Sequence, residues 1–127
     1  MRIVQVIPEL NEGGVERGVV ELNREYVKLG IESYIISNGG KLVNQITQDG
    51  GNHITFDVCS KNIFTSFSRV LKLKKLLKEL KPDIIHVRSR VPAWLVHFAN
   101  KSLKIKVVST VHGFNSVGFY SSIMQKA

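Results

Sequence analysis

Apolar residues fall along the chain in two alternating rhythms. Short runs rich in β-branched residues, MRIVQVI (1–7), ESYIIS (32–37), NHITF (52–56), DIIHV (83–87) and KVVSTV (106–111), are separated by longer stretches in which apolar positions recur every three to four residues. The runs read as five strands. The stretches read as four helices: Val15 to about Leu29, Leu42 to Asp49, Thr65 to Leu80 and Ala93 to Asn100. Val15, Val19, Leu22 and Tyr26 form the expected buried stripe of the first helix, and Val70, Leu73, Leu77 and Leu80 that of the third. Gly13-Gly14, Gly30, Gly39-Gly40, Gly50-Gly51 and Pro82 mark the boundaries. Pro92 sits where a first-turn proline is tolerated, and Trp94 and His97 behind it are expected to pack rather than react.

Strands alternating with helices at this pace predict an α/β fold: one doubly wound parallel sheet, ordered 3-2-1-4-5, in a single domain. In such sheets ligands sit beyond the carboxyl ends of the strands. That edge should gather Asn11, Gly13 and Gly14 after strand one, Lys61 and Asn62 after strand three, Arg88 to Arg90 after strand four, and His112-Gly113 after strand five. The glycine elbow before the first helix suits an anion. Glycine lets a ligand approach the backbone closely, and the free N–H groups and positive dipole end of the helix attract phosphate or carboxylate. Glu16 in the first turn suits the dipole. Arg17 works against it, which favours a ligand contact over a structural purpose.

Composition narrows the partners. The 127 residues, 43% hydrophobic, are enough for one core, and the net charge of +8 with a pI near 9.8 favours an acidic partner: nucleic acid, anionic lipid or a phosphorylated small molecule. The third helix carries much of that charge on Arg69, Lys72, Lys74, Lys75, Lys78 and Lys81, as a solvated face or a membrane-contacting one. Nucleic acid is the poorer fit, since neither a recognition helix nor an aromatic platform is evident. Cys59 alone excludes an internal disulfide framework, and no leader of signal-peptide type precedes the first strand, which together lead us to expect a reducing, cytoplasmic setting. The sequon Asn100-Lys101-Ser102 carries no meaning without secretion. No apolar run approaches the ~20 residues of a membrane-spanning helix. His53, His86, His97 and His112 are too scattered for metal ligation, so no metal site is expected; His86, inside an apolar strand, reads as a core residue.

Three familiar uses of the architecture fail on the residues. A dinucleotide-binding domain requires G-x-G-x-x-G and an acidic end to strand two, whereas the chain offers GGVERG and Ser37-Asn38. A phosphate-accepting receiver domain would use Asp57, but an acidic pair after strand one and a lysine after strand five are missing. A P-loop motif is absent.

NEGGVERGVVELNREYVKLG, KPDIIHVRSRVPAW and VVSTVHGF together resemble the amino-terminal domain of family 4 retaining glycosyltransferases of the GT-B fold, over essentially the whole chain. The resemblance implies a Rossmann-like domain on the acceptor side of an enzyme that transfers a sugar from a nucleotide-sugar donor without a metal ion or other cofactor. It implies backbone contacts of Gly13 and Gly14 with the donor diphosphate. His112 is implied as the residue at the end of strand five that touches the transferred sugar or acceptor. Asn11, Arg17, Lys61, Asn62, Arg88, Arg90 and Gly113 are implied on the acceptor side, where guanidinium forks suit phosphate or carboxylate. A complete enzyme of this kind has a second domain that holds most of the nucleotide. The expectation is therefore an incomplete amino-terminal domain over residues 1–127, inactive by itself, whose open strand edge invites dimerisation. Charge and resemblance together suggest a glycolipid acceptor, such as lipopolysaccharide core, met at an anionic membrane surface on the cytoplasmic face of a bacterial inner membrane. The alternative is a non-catalytic module binding a phosphorylated ligand in the same cleft.

Overall fold

The computed structural model describes residues 1–10, 14–57 and 63–110. In chain order it contains β1 (Arg2–Val6), α1 (Gly14–Lys28), β2 (Glu32–Ser37), α2 (Val43–Gln48), β3 (Asn52–Thr55), α3 (Ile63–Leu80), β4 (Ile84–Arg88), α4 (Arg90–Ala99) and β5 (Lys106–Thr110). All four strand pairings are parallel and the order is β3-β2-β1-β4-β5, as the hydrophobic pattern predicts. Among the described residues no helix is long and apolar enough to cross a membrane.

Successive strand residues face opposite sides of the sheet, so one register fixes two different cores. Val4 pairs with Ile85 and Val6 with Val87. These four point towards α3 and α4, where Leu73, Leu77, Leu95, Val96 and Ala99 close an apolar cluster. The intervening residues face α1 and α2, where Ile7, Leu10, Val19, Val20, Ile35 and Ile46 form a smaller cluster. At the amino edge Asp83 accepts the Arg2 backbone N–H at 2.7 Å, and Glu32 accepts Arg2 Nε at 2.7 Å. Arg2 thus ties the starts of β1, β2 and β4 together, through its backbone to Asp83 and its side chain to Glu32.

Three details depart from the sequence expectation. The buried stripe of α1 runs through Val19, Val20 and Asn23, whereas Val15, Leu22 and Tyr26 are only half-buried. Asn23 earns its buried position by donating Nδ2 to the Ile46 carbonyl at 3.2 Å, fastening α1 to the end of α2. Gly51 is required beside it, because a Cβ there would collide with Asn23 Oδ1. Second, α4 begins at Arg90 rather than Ala93, so Pro92 is its third residue, still within the first turn, whose N–H groups need no helical acceptor. Third, Trp94 and His97 are exposed, and Trp94 rests only edge-on against Phe98, with ring centroids 4.8 Å apart. Asn100 ends α4 with its side chain clamped on Ile105, donating to the carbonyl at 2.7 Å and accepting the N–H at 2.8 Å. The nominal sequon residue is therefore a buried structural amide.

Candidate functional site

The carboxyl edge of the sheet is where the chain departs from simple packing. Gly14 opens α1, with Arg17 exposed in its first turn. A Cβ at Gly14 or at Gly18, one turn on, would meet nothing within 4 Å. Neither crowding nor a left-handed backbone requires glycine at these positions, so the bare backbone at the head of α1 is open to an approaching group.

Beneath this helix lies a polar chain that the apolar sequence pattern hides. Gln5, fully buried in β1, donates Nε2 to the Val19 carbonyl of α1 at 3.4 Å. Its Oε1 accepts Arg88 Nη2, also at 3.4 Å, across the strand pair. Arg88, the last residue of β4, is 8% exposed, and its Nε has no hydrogen-bond partner among the described residues. Burial lowers its pKa, yet a guanidinium stays charged at any physiological pH. A buried cation held by one long hydrogen bond to Gln5, with its Nε unmet, is a costly arrangement. An anionic or carbonyl oxygen brought to this edge would relieve it. On the same face, two residues back, His86 has its pKa pushed down to about 4 by burial and then by the charge of Arg88, so its imidazole is neutral near pH 7.

The residue after Arg88 adds strain. Ser89 adopts φ 80°, ψ 157°, a region almost reserved for glycine, and caps α4 without a side-chain hydrogen bond. A serine held there by the β4–α4 junction costs on the order of 1–3 kcal/mol, and such positions cluster where a ligand is gripped. At the end of β2, Ser37 Oγ accepts the Gly39 N–H at 3.0 Å and lies 2.6 Å from His53 Nε2. The His53 tautomer sets which of the two donates, and burial lowers the pKa of the imidazole. With each partner satisfied, the Ser37–His53 pair is a structural clasp between β2 and β3.

The structure thus brings Gly14, Arg17, Arg88 and the backbone of Arg90 to one edge. Asn11, Gly13, Lys61, Asn62, His112 and Gly113 lie outside the described residues. Gln5 is an addition that sequence reasoning missed, and Ser89, placed at this edge within Arg88 to Arg90, gains a strained backbone that was not foreseen. The sole sequence signal for Gln5 is a polar residue inside an otherwise apolar run, and the Ser89 backbone left none.

Comparison with known proteins agrees with this layout. The Glycosyltransferase Family 4 profile matches residues 12–127. Among curated proteins, the GalNAc-alpha-(1->4)-GalNAc-alpha-(1->3)-diNAcBac-PP-undecaprenol alpha-1,4-N-acetyl-D-galactosaminyltransferase of Campylobacter jejuni is 33% identical over 88 residues, covering 66% of this chain and 24% of that protein. A glycosyltransferase structure from Rickettsia africae is 38% identical with a TM-score of 0.79, covering 98% of this chain and 34% of the other. Acinetobacter baumannii MurG, at 14% identity, shares the fold with a TM-score of 0.72, over 98% of this chain and 39% of its own. The chain therefore spans between about a quarter and two fifths of the length of these three proteins. With the profile running from the head of α1 through the β4–α4 junction and beyond, the chain belongs to Glycosyltransferase Family 4.

Proposed function

We propose that the chain is the acceptor-side, Rossmann-like part of a retaining, metal-independent glycosyltransferase that moves a sugar from a nucleotide-sugar donor to a lipid-linked glycan. Family membership and the Rickettsia relative support glycosyl transfer. The Campylobacter relative, named for a PP-undecaprenol acceptor, supports a lipid-linked one. The observation that carries the acceptor assignment is Arg88, a buried charge with an unmet Nε at the carboxyl edge, suited to an acceptor phosphate. Gly13 and Gly14 offer backbone N–H groups to the donor diphosphate, and His112 takes the contact with the reacting sugar. The reaction needs the donor-binding half as well, so the chain alone binds acceptor without turning over sugar. Its place of work is the cytoplasmic face of a bacterial membrane.

Calorimetric titration with a phosphorylated glycolipid and with a panel of nucleotide sugars tests this reading. We expect acceptor binding that weakens in Arg88→Ala and His112→Ala, with little nucleotide binding. Tight nucleotide binding indifferent to both substitutions would overturn it in favour of a self-sufficient nucleotide-binding domain.

A further inference from the structure

Beyond the last residues of their strands, the segments after β1 and β2 stay zipped together. Ile7 donates its N–H to the Ile36 carbonyl at 3.1 Å, Asn38 to Pro8 at 2.8 Å, Leu10 to Gly39 at 2.9 Å and Leu42 to Leu10 at 2.8 Å. The backbone can turn back in this way because Gly39 and Gly40 stand at φ 103° and 144°, a region that other residues rarely adopt. Leu10 is fully buried in the smaller apolar cluster. Four residues further on, Gly14 opens α1. The path from β1 to the head of α1 therefore leans on the turn after β2.

The Ser37–His53 clasp braces that turn. Ser37, fully buried at the end of β2, accepts the Gly39 N–H at 3.0 Å. Its Oγ is held 2.6 Å from Nε2 of His53, which stands opposite Ile35 in the β2–β3 register and reaches the next residue on the same face. Gly39 thus has its N–H fixed by Ser37 while its carbonyl fixes Leu10. The parallel ladder already joins β2 to β3 from Tyr34–Asn52 to Ser37–Thr55. What the clasp adds is a hold on the turn beyond the ladder.

We infer that Ser37 and His53 are positioning residues for the glycine elbow: through Gly39 and Leu10 they set where the head of α1 presents its N–H groups to a diphosphate. The inference rests on the reading above that the donor diphosphate meets this head. Both residues act through the backbone rather than by touching the ligand. Without the Ser37 hydroxyl Gly39 loses its anchor, and Leu10 shifts with the carbonyl that holds it. Hydrogen bonds depend steeply on alignment, so a displacement of about 1 Å at the elbow is enough to weaken its grip.

Two measurements on the chain separate positioning from packing. Hydrogen–deuterium exchange without ligand reads the Leu10 amide, and NMR titration with inorganic pyrophosphate reads the Gly14 amide. We expect Ser37→Ala and His53→Leu to speed exchange at Leu10 and to weaken pyrophosphate binding on the order of tenfold. His53→Gln, which keeps a hydrogen-bonding group, should restore most of that affinity. Leu77→Ala, destabilised through the opposite face, should bind pyrophosphate as the parent chain does. Faster exchange at Leu10 with unchanged pyrophosphate affinity would overturn the inference and leave the transferase reading standing. Unchanged exchange at Leu10, or a loss of affinity in Leu77→Ala equal to that in Ser37→Ala, would do the same. A Gly14 amide that pyrophosphate leaves unmoved in the parent chain would instead overturn the diphosphate reading, and the inference with it.

Discussion

The two faces of the sheet solve different problems with the same strands. The face under α3 and α4 buries an almost wholly apolar cluster from Val4 to Val107. The face under α1 and α2 buries fewer apolar side chains, and among them sit Gln5, Asn23 and Arg88. Apolar burial stabilises in proportion to area and asks little of geometry. Buried polar groups stabilise only when partnered, and Arg88 Nε is not. The first face therefore supplies stability, and the second gives up part of it to hold a charge and open backbone at the carboxyl edge.

The largest effect expected from breaking this contrast is on the apolar face. Leu77→Ala removes a fully buried side chain and should lower unfolding free energy by about 2–5 kcal/mol in denaturant titration, without changing acceptor affinity of the folded molecules. On the polar face, acid should act through His86. Its folded pKa of about 4 lies below the ordinary 6.5, so below pH 6.5 the unfolded chain takes up a proton that the folded chain refuses. Stability from this residue is full above pH 6.5 and falls by about 1.4 kcal/mol per unit down to pH 4. His53 shifts in the same direction. A His86→Leu variant should show a flatter melting-temperature profile over that range; an identical profile would count against the assignment.

Gln5→Ala should cost about 1–3 kcal/mol, because it strips Arg88 of its buried acceptor. Unlike Leu77→Ala, it should also weaken acceptor binding, and Gln5→Glu should restore the hold on the guanidinium. A loss of stability with no change in binding would reduce Gln5 to packing. The smallest effect is Ser89→Gly. Relieving the φ of 80° should raise stability by about 1 kcal/mol while loosening the β4–α4 junction and lowering acceptor affinity, measured on the same samples.

Much of this molecule is legible in its sequence. The β-branched runs and helical spacing give the sheet, its parallel sense and its order, because topology rules leave few alternatives once the elements alternate. The face of α4 was not legible: RVPAWLVHFA is apolar nearly all round, so hydrophobicity alone cannot say that Leu95 and Val96 point inward while Trp94 and Phe98 point out. Asn23 misleads for the opposite reason, since its buried amide depends on the Ile46 carbonyl of another element. Of the candidate site, only Gly14, Arg17, Arg88 and Arg90 fall among the described residues. Arg88 could be placed at the carboxyl edge from its position after a strand, but its burial beside Gln5 comes from strand register, and the Ser89 backbone from the junction around it.

Hydrogen–deuterium exchange of the chain with and without a phosphorylated glycolipid acceptor tests most directly whether ligand chemistry lives on the carboxyl edge of the polar face. We expect new protection at the head of α1, around Gly14–Arg17, and at Arg88–Arg90, with the body of β2 and the amino edge of the sheet unchanged. Protection confined to the amino edge, or none at saturating acceptor, would contradict that placement.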